Sequence, residues 1–452
     1  MSASLTPGPT VTPVPSGWPY TWEMNDALFG EDGRVVLIGS SITVLDGSGS
    51  TVPGWPWTPG PTGDAALRVA FGPDGSLYVA ARVGSPGAWS WSLHRLGPDG
   101  KEMAGFPVDL PAVSFCDLAV NEGDAFIYCQ DEDEEGGVVT SEVTVVRPNG
   151  STRDGWPVRM PGGFQAAGFG PDGRVYLHAG SGEAQIKITA LASDGTKVAG
   201  WPRTLTRGDG EPGVQIDAQG RVRVTSRSDI TEQCGLPDET VYTMLRADGS
   251  TGPGWPVTAK GWSSDPELGD DGTMVVISET GRVTAYSSRG AIKHGWPVRR
   301  ISVAVGCWDG SRPWAAGDGT MVIVGDGSAT LLTADGRVVS GWPVTLPYEV
   351  AMSCSPCTPG PGGPLAPAVS ERAVYVGGYS GVSRGMNGQP HVMVVERDGS
   401  MPSDAQRLIG TAGDELRWLR VAPTGRVWAL LISQDGSTGT LHLVAEDAVR
   451  GW

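Results

Sequence analysis

The sequence predicts an all-β chain folded as a single β-propeller of four-stranded antiparallel blades. Three observations lead there: a Gly-Trp-Pro triplet that returns roughly every fifty residues, four short strand-like runs between successive copies, and no stretch with a helical period. The triplets are Gly17-Trp18-Pro19, Gly54-Trp55-Pro56, Gly155-Trp156-Pro157, Gly200-Trp201-Pro202, Gly254-Trp255-Pro256, Gly295-Trp296-Pro297 and Gly341-Trp342-Pro343. Gly105-Phe106-Pro107 is a variant, Met401-Pro402 a degenerate copy, and Gly451-Trp452 a copy cut short at the chain end.

Residues 158 to 202 show the unit. Gln165 to Phe169 reads as a strand, Gly170-Pro171-Asp172-Gly173 as a tight turn and Arg174 to His178 as a second strand. Ile186 to Leu191 alternates polar and apolar residues as a third strand, Ser193-Asp194-Gly195 turns the chain, and Val198 to Pro202 is expected to form the fourth. Asp-Gly between β-type runs is a hairpin signal because glycine accepts the positive φ that such turns need. The next-but-one unit upstream repeats the order with Leu67 to Phe71, Asp74-Gly75, Leu77 to Ala81, Trp91 to Leu96, Asp99-Gly100 and Phe106-Pro107. Strand, turn, strand, loop, strand, turn, strand, repeated radially, is a propeller blade.

Counting from Met24 gives nine quartets, ending near 56, 107, 157, 202, 256, 297, 343, 402 and 452. Propellers typically have about four to eight blades, so an eight-bladed ring with the Trp-less eighth quartet as an insertion is the alternative. Gly17-Trp18-Pro19 precedes the first inner strand, where the last blade's outer strand belongs, so the N- and C-terminal strands are expected to close the ring. Residues 1–16 then form a Pro/Thr-rich arm and 17–452 the propeller. The eight repeat tryptophans, Trp18, Trp55, Trp156, Trp201, Trp255, Trp296, Trp342 and Trp452, are assigned to packing between blades. Each indole can bury about 150–250 Å² against a neighbour.

The run Ser263-Ser264-Asp265-Pro266, then Asp271-Gly272-Thr273-Met274 to Ile277, then Gly281 to Tyr286 and Trp296, resembles the repeat of quinoprotein-like propellers of the PQQ-repeat type. In that superfamily an Asp-Gly turn precedes a strand-borne Trp that docks one blade on the next. The resemblance covers nearly every unit and implies the fold. The superfamily includes quinone-dependent dehydrogenases and non-catalytic scaffold members of bacterial envelopes. This chain has no adjacent cysteine pair and no match to the dehydrogenases' calcium and carboxylate positions. The resemblance therefore points to the non-catalytic branch, and no cofactor and no metal are expected.

Up-and-down strand order puts the first and third turns on one rim of the disc, and the second turn and the crossover on the other. The first rim has short Asp-Gly turns. The long connections, 83–90, 130–141, 205–213, 226–239, 301–315, 347–366 and 379–390, all belong to the second. Elaborated loops on a rigid scaffold are where binding concentrates. Trp57, Trp89, Trp91, Trp262, Trp308 and Trp314 fall in or beside that set, as does Trp22, and are the candidate ligand-binding residues. Their bland reading is as plugs for the blade ends.

Cys116 and Cys129 are equidistant from the turn at Asn121 to Asp124, so they face each other across one hairpin, as a disulfide or as two buried thiols. Cys354 and Cys357 have CxxC spacing and are the second disulfide candidates. Cys234 and Cys307 share their rim, so a four-sulfur site and loop disulfides pairing any two of the four stay open. The run Asp131 to Glu135 lacks the alternating pattern of a calcium loop and reads as a solvated charge cluster. The five histidines, His94, His178, His294, His391 and His442, are scattered over different blades, and no catalytic motif accompanies them.

A net charge of −17, from 33 basic and 50 acidic residues, argues against nucleic acid as a partner. No apolar run is long enough to cross a bilayer, so no membrane insertion is expected. Residues 1–16 have neither the basic start nor the apolar core of a signal peptide. The function expected is a non-catalytic binding or assembly module whose loop-rich face meets a glycan or protein, with a place in a larger cell-surface or phage-like particle as one setting for it. That reading places the chain outside the cell, at its surface or on a particle, with the cytoplasm as the alternative. The competing function is a propeller enzyme, a lactonase, glycan lyase or quinone-dependent oxidoreductase, with its site in the central funnel.

Overall fold

The computed structural model describes residues 20–23, 26–60, 66–84, 89–113, 115–132, 138–180, 185–206, 213–217, 219–227, 237–269, 271–299, 301–302, 313–316, 319–325, 327–346, 366–380, 388–433 and 437–446. Strands are the regular elements among them, gathered into nine antiparallel sheets. Seven sheets have four strands. The other two, in blades 1 and 6, have three, and their outer edge is completed by isolated bridges such as Ile42 to Trp57 and Val283 to Val298. The Trp-less eighth quartet is a complete sheet (368–369, 373–380, 389–396 and 406–408), so the ring has nine blades and no insertion.

The apolar side chains sort into nine cores, each shared by two neighbouring blades. An open row of nine sheets would have one fewer. The ninth core joins Ala27, Val35, Leu37 and Leu45 of blade 1 to Trp428, Leu430, Leu441 and Leu443 of blade 9, so the ring is closed. The closing strand is Tyr20–Glu23, which pairs with Thr438–Leu441 as the outermost strand of blade 9. Trp18 and Trp452 lie outside the described residues, as does the 1–16 arm.

The Gly-Trp-Pro triplet does not form the fourth strand. In blade 4 that strand is Arg203–Thr206, and Trp201 lies in the turn before it, its N–H donating to Val198 O at 3.2 Å. Gly155 shows why the turn requires glycine. Its φ is 85°, a conformation that L side chains rarely adopt, and a Cβ there would overlap the Asp194 carbonyl of the next blade. Each Trp-Pro peptide of the described triplets, and Phe106-Pro107, is cis.

The triplet thus docks on the third turn of the following blade. Trp55, Trp156, Trp201, Trp255 and Trp342 are about equally buried, and each donates its indole N–H to a turn carbonyl. The acceptors are Pro98, Ser193, Ala247, Ser288 and Arg397, at 3.0–3.1 Å. Nearer the axis a second series of bonds ties four of the blades to the first turn of the next. Arg34 donates to Gly75 O at 2.8 Å, Tyr78 to Gly123 O at 2.7 Å, Tyr176 to Gly220 O at 3.0 Å and Arg223 to Gly272 O at 3.0 Å.

Candidate functional site

The two rims differ in how firmly the sequence pins them. On the short-turn rim, Asp side chains cap their own turns. Asp74 Oδ1 accepts from the Ser76 backbone N–H and hydroxyl, and Asp194 does the same for Thr196. These bonds favour the charged carboxylate and hold both groups below the usual Asp range. The long connections leave from the other rim, because Val83, Arg227 and Ser380 end second strands and Ser90, Glu239 and Gln389 begin third strands. The central parts of those connections, including Trp308, Cys234, Cys307, Cys354, Cys357 and Asp133 to Glu135, lie outside the described residues.

The tryptophan candidates separate by burial. Trp91, Trp262 and Trp314 are 2%, 4% and 9% exposed; Trp91 and Trp314 belong to inter-blade cores, and Trp314 also borders the channel cavity beside Arg420. The Trp91 indole donates to Val113 O at 2.9 Å, and the Trp262 backbone N–H to Glu279 Oε2 at 3.1 Å. Alternation explains the burial of Trp91 and Trp314, whose strand register turns them into inter-blade cores although they lie near loops; Trp262 is buried in the connection before the first strand of blade 6. Trp57 and Trp89 remain partly open. Trp89 carries the Arg82 guanidinium 4.3 Å from its ring, and Trp57 stands edge-on to His94 at 4.8 Å. Trp22 lies on the closing strand.

Cys116 and Cys129 are joined as a disulfide between directly paired positions of the inner hairpin of blade 3, with Cα atoms 4.1 Å apart. His94 links Ser92, through Nε2, and Glu102, through Nδ1, at 2.9 Å each. This is the connectivity of a nucleophile–base–acid relay. With its imidazole buried beneath Trp57, however, it serves as a tie between blades 1 and 2. Among the described residues no cluster of His, Cys, Asp or Glu could hold a metal ion.

The first strands of neighbouring blades touch one another, so they line the central channel. Two inter-blade ion pairs cross this wall. Arg68 Nε lies 3.7 Å from Asp117 Oδ1. Arg420 Nη1 lies 3.7 Å from Asp26 Oδ1 and donates to Ala27 O at 3.0 Å. Trp418 supports the second pair, its indole donating to Asp26 at 3.2 Å and its ring 4.4 Å from the guanidinium. Beside Arg420 is a cavity of about 430 Å³ lined mainly by Phe29, Trp314, Pro367, Val369, Val421 and the carboxyl-bearing Glu267. These residues lie where first strands enter first turns, so the cavity opens at the short-turn end of the channel. Sequence reasoning missed this wall. Its only trace was the alternation Glu415-Leu416-Arg417-Trp418-Leu419-Arg420, charged on an innermost strand.

No family model and no curated protein matches the chain. Among solved structures it is similar to a eukaryotic initiation factor, with a TM-score of 0.53 and 11% identity over 85% of this chain and 88% of that one. It is also similar to BamB from Moraxella catarrhalis (TM-score 0.43, 14% identity, 94% and 98% covered) and to the C-terminal WD40 domain of Sif2 (0.44, 11%, 84% and 92%). At these identities the likeness shows the fold alone, and the first match carries that argument.

Proposed function

We propose that the chain is a non-catalytic binding or assembly propeller that presents the rim of long connections to a protein or glycan partner. One observation carries the reading. The short-turn rim is fixed by repeated Trp and Gly docking, while every large length variation leaves the ring from the opposite side. Of the tryptophan candidates, Trp57 and Trp89 belong to this surface. The disulfide in blade 3 supports a location outside the reducing cytosol, at the cell surface or on a particle. The cavity beside Arg420 and Glu267 favours the second reading, an enzyme working in the channel.

Chimeras test the choice. In one, 228–236 and 381–387 are replaced by two-residue Asn-Gly turns; in the other, Arg420→Leu and Glu267→Leu alter the channel. Screening on glycan arrays and by cross-linking in the source cells should show binding that the first change removes and the second spares. Binding that survives loop replacement, or turnover lost with the channel pair, would reject the proposal.

A further inference from the structure

Blade 6 carries a basic surface that the overall charge conceals. Residues 280–300 hold five of the chain's 33 Lys and Arg and none of its 50 Asp and Glu. Arg282, Arg289, His294 and Arg299 are exposed along the outer edge of this blade. Val283 and Val298 exchange both backbone bonds at 2.9 Å, so Arg282 and Arg299 are the next pair in register. Like charges directly opposite, with Cβ atoms about 5 Å apart, destabilise a sheet unless a counter-charge joins them. Most described arginines have an acidic partner: Arg34, Arg95, Arg159, Arg174, Arg221 and Arg227 are examples. The side chains of Arg282, Arg289 and Arg299 make no ion pair with a described residue. Lys293, by contrast, is held 3.3 Å from Asp271.

Two further features occur on the same edge. Ile292, which bridges Tyr286, is 47% exposed, one of four large apolar residues so open among those described. The outer segment of blade 6 is held to the third strand by bridges at Ile292 and Val298 and by Lys293 N–H to Ala285 O at 2.9 Å, and no further strand of the sheet lies outside it. From the Arg282–Arg299 end to Arg289 the edge runs about five residues, or roughly 17 Å.

We propose that the outer edge of blade 6 is a docking site for a short, extended acidic peptide segment of a partner protein. Its carboxylates would lie against Arg282, Arg299 and Arg289, an apolar side chain against Ile292, and its backbone along the edge strand. The length of the patch and its surroundings select this occupant. A polymer with a phosphate every few ångströms would run off the patch onto a surface that carries the remaining excess of acid, whereas a segment of about five residues ends with it. The patch crosses the circumference from Arg289 in the third turn to Arg282 and Arg299 beside the second turn and the crossover, and its test alters none of the connections replaced above, so the two readings fail separately.

The probe is a fluorescein-labelled octapeptide of alternating Glu and Val, followed by anisotropy, with its Gln-for-Glu analogue as control. The expected result is saturable binding that weakens at least tenfold from 50 to 300 mM salt, is absent for the Gln peptide, and is reduced at least tenfold by R282E/R289E/R299E. Ile292→Ser should reduce it severalfold. Circular dichroism and melting of the variants control for folding, since the altered side chains are all exposed. An unchanged affinity in the triple variant overturns the site. Tighter binding of a heparin hexasaccharide or a twelve-nucleotide single strand through the same arginines overturns the assigned partner, and no binding of any probe overturns both.

Discussion

At the scale of the residue, the inter-blade tryptophan is two interactions in one side chain, and the repeats separate them. In blade 2 the position holds Phe106, which has no N–H, and Arg95 Nη1 donates to the equivalent carbonyl, Pro148 O, at 2.6 Å. In blade 4 the Ala247 carbonyl takes both Trp201 and Arg174, the latter at 2.8 Å. The buried Trp296 N–H has no partner among the described residues. Replacing each Trp by Phe removes similar volume but different bonds. Trp156→Phe, which strips the Ser193 carbonyl of its indole donor, should cost about 1–3 kcal/mol more in urea unfolding than Trp296→Phe. Trp201→Phe should fall near Trp296→Phe, because Arg174 stays. Equal costs at all three would show that the ring alone matters. His391 supplies a pH test. It is fully buried, and burial pushes its imidazole down from 6.5 to about 4. Its charged form is therefore disfavoured in the fold, and between pH 6.5 and 4 the unfolded chain binds more protons. Stability is fully present above 6.5 and falls by about 3 kcal/mol as pH drops through that window. Melting temperatures from pH 7 to 4.5 should decline, and His391→Gln should flatten the decline. His442, also lowered by burial, should leave a residual slope.

At the scale of the element, strands one to three of blades 2 and 4 were legible because alternation and Asp-Gly turns are local signals. Gln165–Phe169 was placed to the residue. The fourth was misplaced because Gly-Trp-Pro resembles a strand end, although its glycine sits at positive φ in a turn whose cause, the carbonyl of the next blade, lies far away in sequence. The same limit explains the tryptophans: nearness to a loop does not say which way a ring points, and Trp91, Trp262 and Trp314 point inward. The pairing of Cys116 with Cys129 was readable as two open alternatives, since equal distance from a turn fixes register but not oxidation state. Closing a loop with a sequence separation of 13 should stabilise the fold by about 3 kcal/mol on the chain-entropy model. Dithiothreitol should therefore lower the melting temperature of the native chain and leave Cys116→Ser/Cys129→Ser, already lowered, unmoved. An identical response from both would show that the bridge contributes nothing.

At the scale of the whole molecule, the period alone gave the ring, and the nine shared cores count its blades without reference to any motif. The channel wall was not legible, because Asp26 and Arg420 are neighbours only after closure brings opposite ends of the chain together. Removing residues 1–23 strips blade 9 of its outer strand and leaves the edge at Thr438–Leu441 open. Such a chain should melt at least several degrees lower and self-associate in sedimentation. Supplying Tyr20–Glu23 after residue 446 through a flexible linker should restore both properties. A truncated chain that stays monomeric and equally stable would mean that the N-terminal strand is ornamental.

That arrangement also sets a timetable. The strand that finishes blade 9 leaves the ribosome before every blade of the ring, and the sheet that receives it leaves after the other eight. A nascent chain can stack its early blades as they emerge, but the ring cannot be sealed until blade 9 has been made. A chain broken off before that blade is an arc with a raw sheet at each end, which makes closure a check on the completeness of the ring.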